Sequence, residues 1–291
     1  FDNGNNVAYA TNTTVNLPLS TKFQTVVNYQ YRLTENSETS AKAHTHTATA
    51  GVTYAMLPKL KVVGLAGINN AQFNGNGYSQ PIISAKVVIE PYRLQNLEVG
   101  YQREVQNFNT DLIEREIVMQ HYGLNYNLGS NFGLGWYTQL IHTEQSDDNQ
   151  RDLLFTSLYY TALRKPNLKF GLNYQYLAFA EQVPTIYFSP EKYQAGEFFA
   201  EVSGKFSGNS TYRINAATGL QQVEDDDMTS IFRVKMNLKH QFTKRLSGGL
   251  YGKYSNIASA TAAGFQFTEV GIQLKWPFKK QPFFNGSIAS R

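Results

Sequence analysis

Phe232-Arg233-Val234-Lys235-Met236-Asn237-Leu238-Lys239-His240-Gln241-Phe242 decides the fold. Phe232, Val234, Met236, Leu238, His240 and Phe242 alternate with Arg233, Lys235, Asn237, Lys239 and Gln241. A β-strand turns successive side chains to opposite faces, so this stretch presents one largely apolar and one charged face. A helix would show its apolar residues at i, i+3, i+4 and i+7 instead.

The same period of two recurs from end to end. Phe23, Thr25, Val27, Tyr29 and Tyr31 oppose Lys22, Gln24, Asn28, Gln30 and Arg32. Leu168, Phe170, Leu172, Tyr174 and Tyr176 oppose Lys169, Gly171, Asn173 and Gln175. Val270, Ile272, Leu274, Trp276 and Phe278 oppose Glu269, Gly271, Gln273 and Lys275. About fifteen such strands are expected, with edges good to ~2 to 4 residues. They fall near 7–19, 22–33, 42–57, 60–70, 81–91, 95–107, 113–128, 131–144, 151–164, 167–180, 192–206, 210–223, 228–243, 245–257 and 265–278.

The connections alternate in length. Short ones include Leu57-Pro58-Lys59, Lys165-Pro166-Asn167 and Ser207-Gly208-Asn209, and long ones include 34–41, 70–80, 107–112, 144–151, 181–191, 222–228 and 257–264. Outer-membrane barrels have short periplasmic turns and longer outer loops. Many of the long connections are rich in Asn, Asp, Ser or Gly, as solvated loops are.

Composition points the same way. The 291 residues include 19 Tyr and 19 Phe, yet only 16% are charged and none is Cys. Soluble domains carry about 25% charged residues. No apolar run approaches the ~18 to 20 residues of a membrane helix; Leu60 to Ile68, among the most apolar stretches, is interrupted by Lys61, Gly64 and Gly67. The expected fold is therefore an all-β, transmembrane, antiparallel up-and-down β-barrel in the bacterial outer membrane. A soluble sandwich or lipocalin-like array would also alternate, but it seldom combines so many aromatics with so few charges. Even strand numbers predominate in such barrels, so about sixteen strands are expected, with fourteen next. The count of strands puts Phe1 on the loop side. The sequence thus reads as one barrel domain over 1–291, with a first strand and an upstream periplasmic domain expected before Phe1, or a closing strand in Gln281 to Ser287. Tyr122, Tyr126, Trp136, Tyr159, Tyr160, Tyr174, Tyr176 and Trp276 are placed to form interfacial girdles.

The polar phase names the candidate lining: Arg32, Lys86, Glu98, Glu116, Glu197, Glu201, Arg213, Arg233, Lys235, Lys239, Glu269 and Lys275. Any one of these serves as a solvated, cross-paired wall residue; together they make a polar pore. Their mixed signs argue against strong anion or cation selection. The net charge of +4 comes from scattered Lys and Arg, which argues against nucleic-acid binding. His44 and His46 share one face of a strand, but metal sites need more ligands than two. His142, Ser146 and Asp148 lie close in sequence without a nucleophile elbow. Glu224-Asp225-Asp226-Asp227 lacks the ligand spacing of a calcium loop. No cofactor, metal or catalytic residue is expected. The expected partners are outer-membrane lipid, a hydrophilic polymer or small polar solute, and other envelope proteins.

Tyr187-Phe188-Ser189-Pro190-Glu191-Lys192-Tyr193 resembles the Tyr-Phe-Ser-Pro-X-X-Tyr element in barrels of tetratricopeptide-linked bacterial exopolysaccharide-export porins of the cellulose and poly-N-acetylglucosamine type. The resemblance covers these seven residues and the strand pattern. It implies a sixteen-stranded pore for a polysaccharide, preceded by periplasmic repeats that this sequence does not contain. The competing expectations are a plugged structural barrel within a larger envelope complex and a barrel enzyme.

Overall fold

The computed structural model describes residues 6–183, 186–257 and 267–276. Within them the backbone forms one antiparallel sheet of fifteen strands, each hydrogen-bonded to its neighbour in sequence. These are β1 (Asn6–Pro18), β2 (Phe23–Asn36), β3 (Lys42–Leu57), β4 (Leu60–Phe73), β5 (Asn76–Ile89), β6 (Gln95–Val105), β7 (Val118–Gly129) and β8 (Leu134–Gln145). The order continues with β9 (Gln150–Arg164), β10 (Asn167–Phe179), β11 (Tyr193–Ser207), β12 (Ser210–Val223), β13 (Thr229–Gln241), β14 (Ser247–Ser255) and β15 (Phe267–Lys275). A short helix, α1 (Thr110–Glu114), lies between β6 and β7. Among the described residues no pairing joins β1 to β15. The expected closing strand in Gln281 to Ser287 lies outside the described residues.

Two boundaries differ from expectation. The connection expected over 70–80 is a two-residue turn, Asn74-Gly75, with φ of 48° and 86°. Positive φ at both central residues is what a tight hairpin of this type needs, and Asn-Gly supplies it. Proline cannot donate to a ladder, so Pro81 within β5 needs an open side. Here β6 flanks β5 only from Ile83 onward, so one side of the strand is open at Pro81. The second difference follows β6, where α1 occupies residues read as the start of a strand at 113. The strand begins at Val118 instead.

The two faces of the sheet differ as the alternation requires. Val270, Ile272 and Leu274 are 73%, 79% and 72% exposed on one face. Val27, Leu172, Phe198 and Phe232 are exposed on the same face, though less so. A sheet in water would cover such rows with another layer. The opposite face is concave. Ile113 of α1 packs with Ala43 of β3 and Ala71 of β4. Its neighbour Leu112 belongs to a cluster with Leu177 of β10, Tyr193 of β11 and Ile231 of β13. Strands distant in order thus meet around one helix, so the sheet curls about it.

Tyr159 departs from the girdle expectation. It pairs in register with Gly135 and faces inward. Its ring lies across the glycine, where an added Cβ would come within 2.2 Å of a ring carbon. Tyr251 covers Gly271 in the same way, at 2.2 Å. Glycine leaves the space that lets each ring lie flat on the wall. Gly135→Val should therefore destabilise the fold by roughly 1–3 kcal/mol through overpacking. Adding Tyr159→Ala should restore part of that loss. Denaturant unfolding of the refolded protein checks this, and no recovery in the double variant would reject the packing account.

Candidate functional site

The concave wall carries the polar phase of every strand. Arg32 points inward from β2, on the face shared with Asn28 and Thr34. Lys86 of β5 and Glu98 of β6 form an ion pair at 3.1 Å. Glu201 of β11 and Arg213 of β12 approach to 3.8 Å. Glu197 of β11 is buried, accepts from Asn173 Nδ2 at 2.8 Å and forms an ion pair with Arg233 of β13. Lys235, Lys239, Glu269 and Lys275 continue the same phase on β13 and β15. Glu116 is the exception among the expected lining residues. It is not on a strand but follows α1, exposed, with a left-handed φ of 56°. The helix took the residues whose alternation had been read as wall.

Several inward groups were not among the candidates. Glu104 accepts from or pairs with His121 at 3.1 Å, His121 Nδ1 lies 2.8 Å from Thr143 Oγ1, and Arg151 donates to Thr143 Oγ1 at 3.1 Å. Lys169 sits over the Tyr159 ring at 5.4 Å, and Lys253 over Phe267 at 4.3 Å. Lys169 and Lys253 alternate correctly in sequence and were within reach of pattern reading. The Glu104–His121–Thr143–Arg151 chain crosses four strands and depends on register, which alternation alone does not specify.

The groups that had invited chemical readings are otherwise engaged. His44 and His46 face outward, their Nδ1 atoms bonded to the hydroxyls of Tyr31 and Tyr29 at 2.9 and 2.8 Å. His142 pairs with Asp152 at 2.7 Å, while Ser146 Oγ accepts the N–H of Val118 at 3.0 Å. Asp148 occupies a turn with φ of 64°. Glu224 begins the turn between β12 and β13 and accepts from Gln182 at 2.6 Å. Among the described residues no group of three His, Cys, Asp or Glu is placed to hold a metal ion.

The most organised feature lies at the end of the sheet opposite the turns Pro58-Lys59, Lys165-Pro166 and Gly208-Asn209. Two connections, 106–117 and the described parts of 180–192 (180–183 and 186–192), fold over the concave face and pack together. Asn109 joins them: its Oδ1 accepts the N–H of Leu112, capping α1, at 2.8 Å, and its Nδ2 donates to the carbonyl of Ile186 at 3.1 Å. An Asn cap satisfies one orphan N–H of the first turn. Here its second polar atom clamps the other loop. Thr34 of β2 donates to the Asn107 carbonyl at 3.3 Å, tying the same loop to a distant strand.

The return loop contains the Tyr187 to Tyr193 element. Asn149, buried in the turn before β9, donates to the Glu181 carbonyl at 2.8 Å and to the Tyr187 hydroxyl at 2.9 Å. Tyr187 in turn donates to Asp147 at 2.8 Å. Ser189 accepts the N–H of Val183 at 2.5 Å, and Pro190 accepts that of Phe179 at 3.0 Å. Tyr193 donates to Gln221 at 3.1 Å, with the Phe188 ring edge-on at 5.7 Å. Tyr187, Phe188, Ser189, Pro190 and Tyr193 each bond or pack, while Glu191 and Lys192 are exposed, so most of the element's composition follows from shaping this turn. Burial pushes the Tyr187 phenol well above its ordinary value of 10. Asp147 and Glu181 add to that shift, and the Asn149 amide opposes it.

These features define an up-and-down β protein turned inside out, apolar on its convex side, with a polar interior crossed by two of its own loops. No protein-family model and no curated protein sequence matches the chain. The fold is similar to that of a solved structure described as a "Bacterial polysaccharide outer membrane secretin". The TM-score is 0.75 at 12% identity, covering 94% of this chain and 91% of that one. At that identity the likeness is one of fold.

Two outcomes test the loop assembly. Asn109→Ala should cost about 1–2 kcal/mol, since it removes both cap and clamp. Asn109→Asp should keep the cap and lose only the clamp, giving an intermediate rate of limited tryptic cleavage at Arg115. Equal rates in all three proteins would show that Asn109 holds nothing. For Tyr187 the sign follows from its raised pKa: folding favours the neutral phenol, so the contribution is complete below pH 10 and falls as pH rises beyond it. Loosening of the loops above that pH should be reduced in Tyr187→Phe, which loses the hydroxyl bonds at a cost of about 1 kcal/mol but cannot ionise.

Proposed function

We propose that the chain closes into a transmembrane barrel of the bacterial outer membrane and lets a hydrophilic polymer, a polysaccharide, pass through its interior. The observation that carries this reading is the inversion of faces: exposed aliphatic and aromatic rows outside, ion pairs and amides within. Lipid is the environment that such an exterior fits, and an aqueous lumen fits such an interior. Open edges cannot face hydrocarbon, because unpaired amides cost several kcal/mol each there. The short turns then lie on the periplasmic side and the loops outside. The fold likeness to a polysaccharide secretin and the resemblance of Tyr187 to Tyr193 to exopolysaccharide-export porins support the choice of cargo. The loop 106–117, with residues 180–183 and 186–192 packed on it, acts as a gate. No catalytic step and no cofactor enter this reading.

A second reading has one observation in its favour. Leu112 and Ile113 are fully buried, as in a permanent core. A structural barrel that never opens would need such a plug. Planar-bilayer recording separates the two. The pore reading expects intermittent openings from the full chain, and larger, steadier currents when 107–116 is replaced by a short Gly/Ser link. Absence of ion current from both proteins, after confirmed insertion, would favour the structural barrel.

A further inference from the structure

We infer that the polymer is a polyanion, a glycan bearing carboxylate or other acidic groups, and that cations on the inner wall near the turns select it. This rests on the pore reading above. Between Asp227 and Glu269 the sequence has no Asp or Glu, and none occurs between Glu201 and Glu224. Those intervals supply most of the inner wall of β12 to β14. Their inward charges are therefore all positive.

Register places these charges side by side. Glu201 lies opposite Asn215, Asn215 opposite Lys235, Lys235 opposite Lys253, and Lys253 opposite Glu269. Lys235 and Lys253 are thus direct neighbours across two strands. Like charges directly opposite destabilise a sheet, and Glu269, opposite Lys253, is the one carboxylate beside the pair to set against two lysines. Nearer the turns, Arg213, Lys239 and Lys275 follow on the same face, and β11 to β15 hold no carboxylate there. The acids of this wall are already engaged: Glu197 by Arg233, Glu201 by Arg213, and Glu269 by Tyr251 and the facing Lys253. Lys235, Lys239 and Lys275 have no carboxylate within ion-pair distance among the described residues.

The opposite end has the reverse sign. Asp147, Asp148, Glu181 and the run Glu224 to Asp227 lie at the loops. The mixed charge of the chain is therefore sorted along its axis, from positive at the turns to negative at the loops. A low-dielectric wall focuses such a field within the lumen. A polyanion arriving at the turn end is drawn in and, once past the loops, is repelled from re-entry. A polycation meets the unfavourable mouth first, and a neutral chain senses neither end.

Bilayer recording of the full chain under a salt gradient tests this. The reversal potential should indicate anion preference, by about threefold or more. A polyuronate oligosaccharide added on the turn side should reduce the current at roughly tenfold lower concentration than a neutral dextran of equal length. A chitosan oligosaccharide should block least. Lys235→Gln, Lys239→Gln and Lys275→Gln combined should abolish the distinction; if that variant does not refold, the wild-type measurements decide alone. A steady current without anion preference, or with tighter block by chitosan, overturns the polyanion assignment and leaves the pore intact. No current under any condition overturns the pore reading and this inference together.

Discussion

A β-strand can send a side chain in only two directions, and its backbone amides are satisfied only by the strands beside it. Both restrictions act on every residue of the fifteen-stranded ladder. Once Phe232 faces outward, Arg233 must face inward, and a slip of one residue would reverse the whole strand. The exposed row Val270, Ile272 and Leu274 and the inward run Glu269, Gly271, Gln273 and Lys275 are one choice made once. The lateral pairings then carry that choice around the curl, so a polar wall is built without any helix or second sheet behind it.

A concave polar wall needs something inside it or it stays filled with water. This chain supplies two of its own connections. Their contact is not a general collapse: a single amide, Asn109, caps α1 with one atom and holds Ile186 with the other. Leu112 and Ile113 then turn to opposite walls, one toward β10, β11 and β13, the other toward β3 and β4. The other fully described connections at that end are turns of a few residues, such as Asn74-Gly75, because the strands run on almost to the hairpin tips. The interior loops are long because they must leave the wall and come back to it.

Charge follows the same axis as the loops. Acidic residues gather where the inturned loops lie, while lysine and arginine line the wall toward the turns. Where acids and bases meet on the wall they pair, as Lys86 does with Glu98 and Arg233 with Glu197. Where only bases occur, nothing on the wall neutralises them, and the surplus is available to whatever occupies the interior.

Alternation by itself determined most of the strands, their antiparallel order and which face of each is apolar. It did so because a period of two is local and needs only neighbouring residues. The inward placement of Arg32, Lys86, Glu98, Glu197 and Lys235 was legible for the same reason. Glu116 was misread because a five-residue helix is too short to leave a period, and its Asn109 cap was the only local sign. The turn at Asn74-Gly75 was written in the sequence as a dipeptide that supplies positive φ, whereas the place of Pro81 inside β5 depends on where β6 ends. Tyr159 could not be assigned a face from composition, since its ring needs the gap at Gly135 on another strand. The contact between the two loops, the adjacency of Lys235 and Lys253 and the sorting of charge along the axis were decided only by tertiary structure. Each depends on register and curl, and these arise from pairings across strands whose distances no local period encodes.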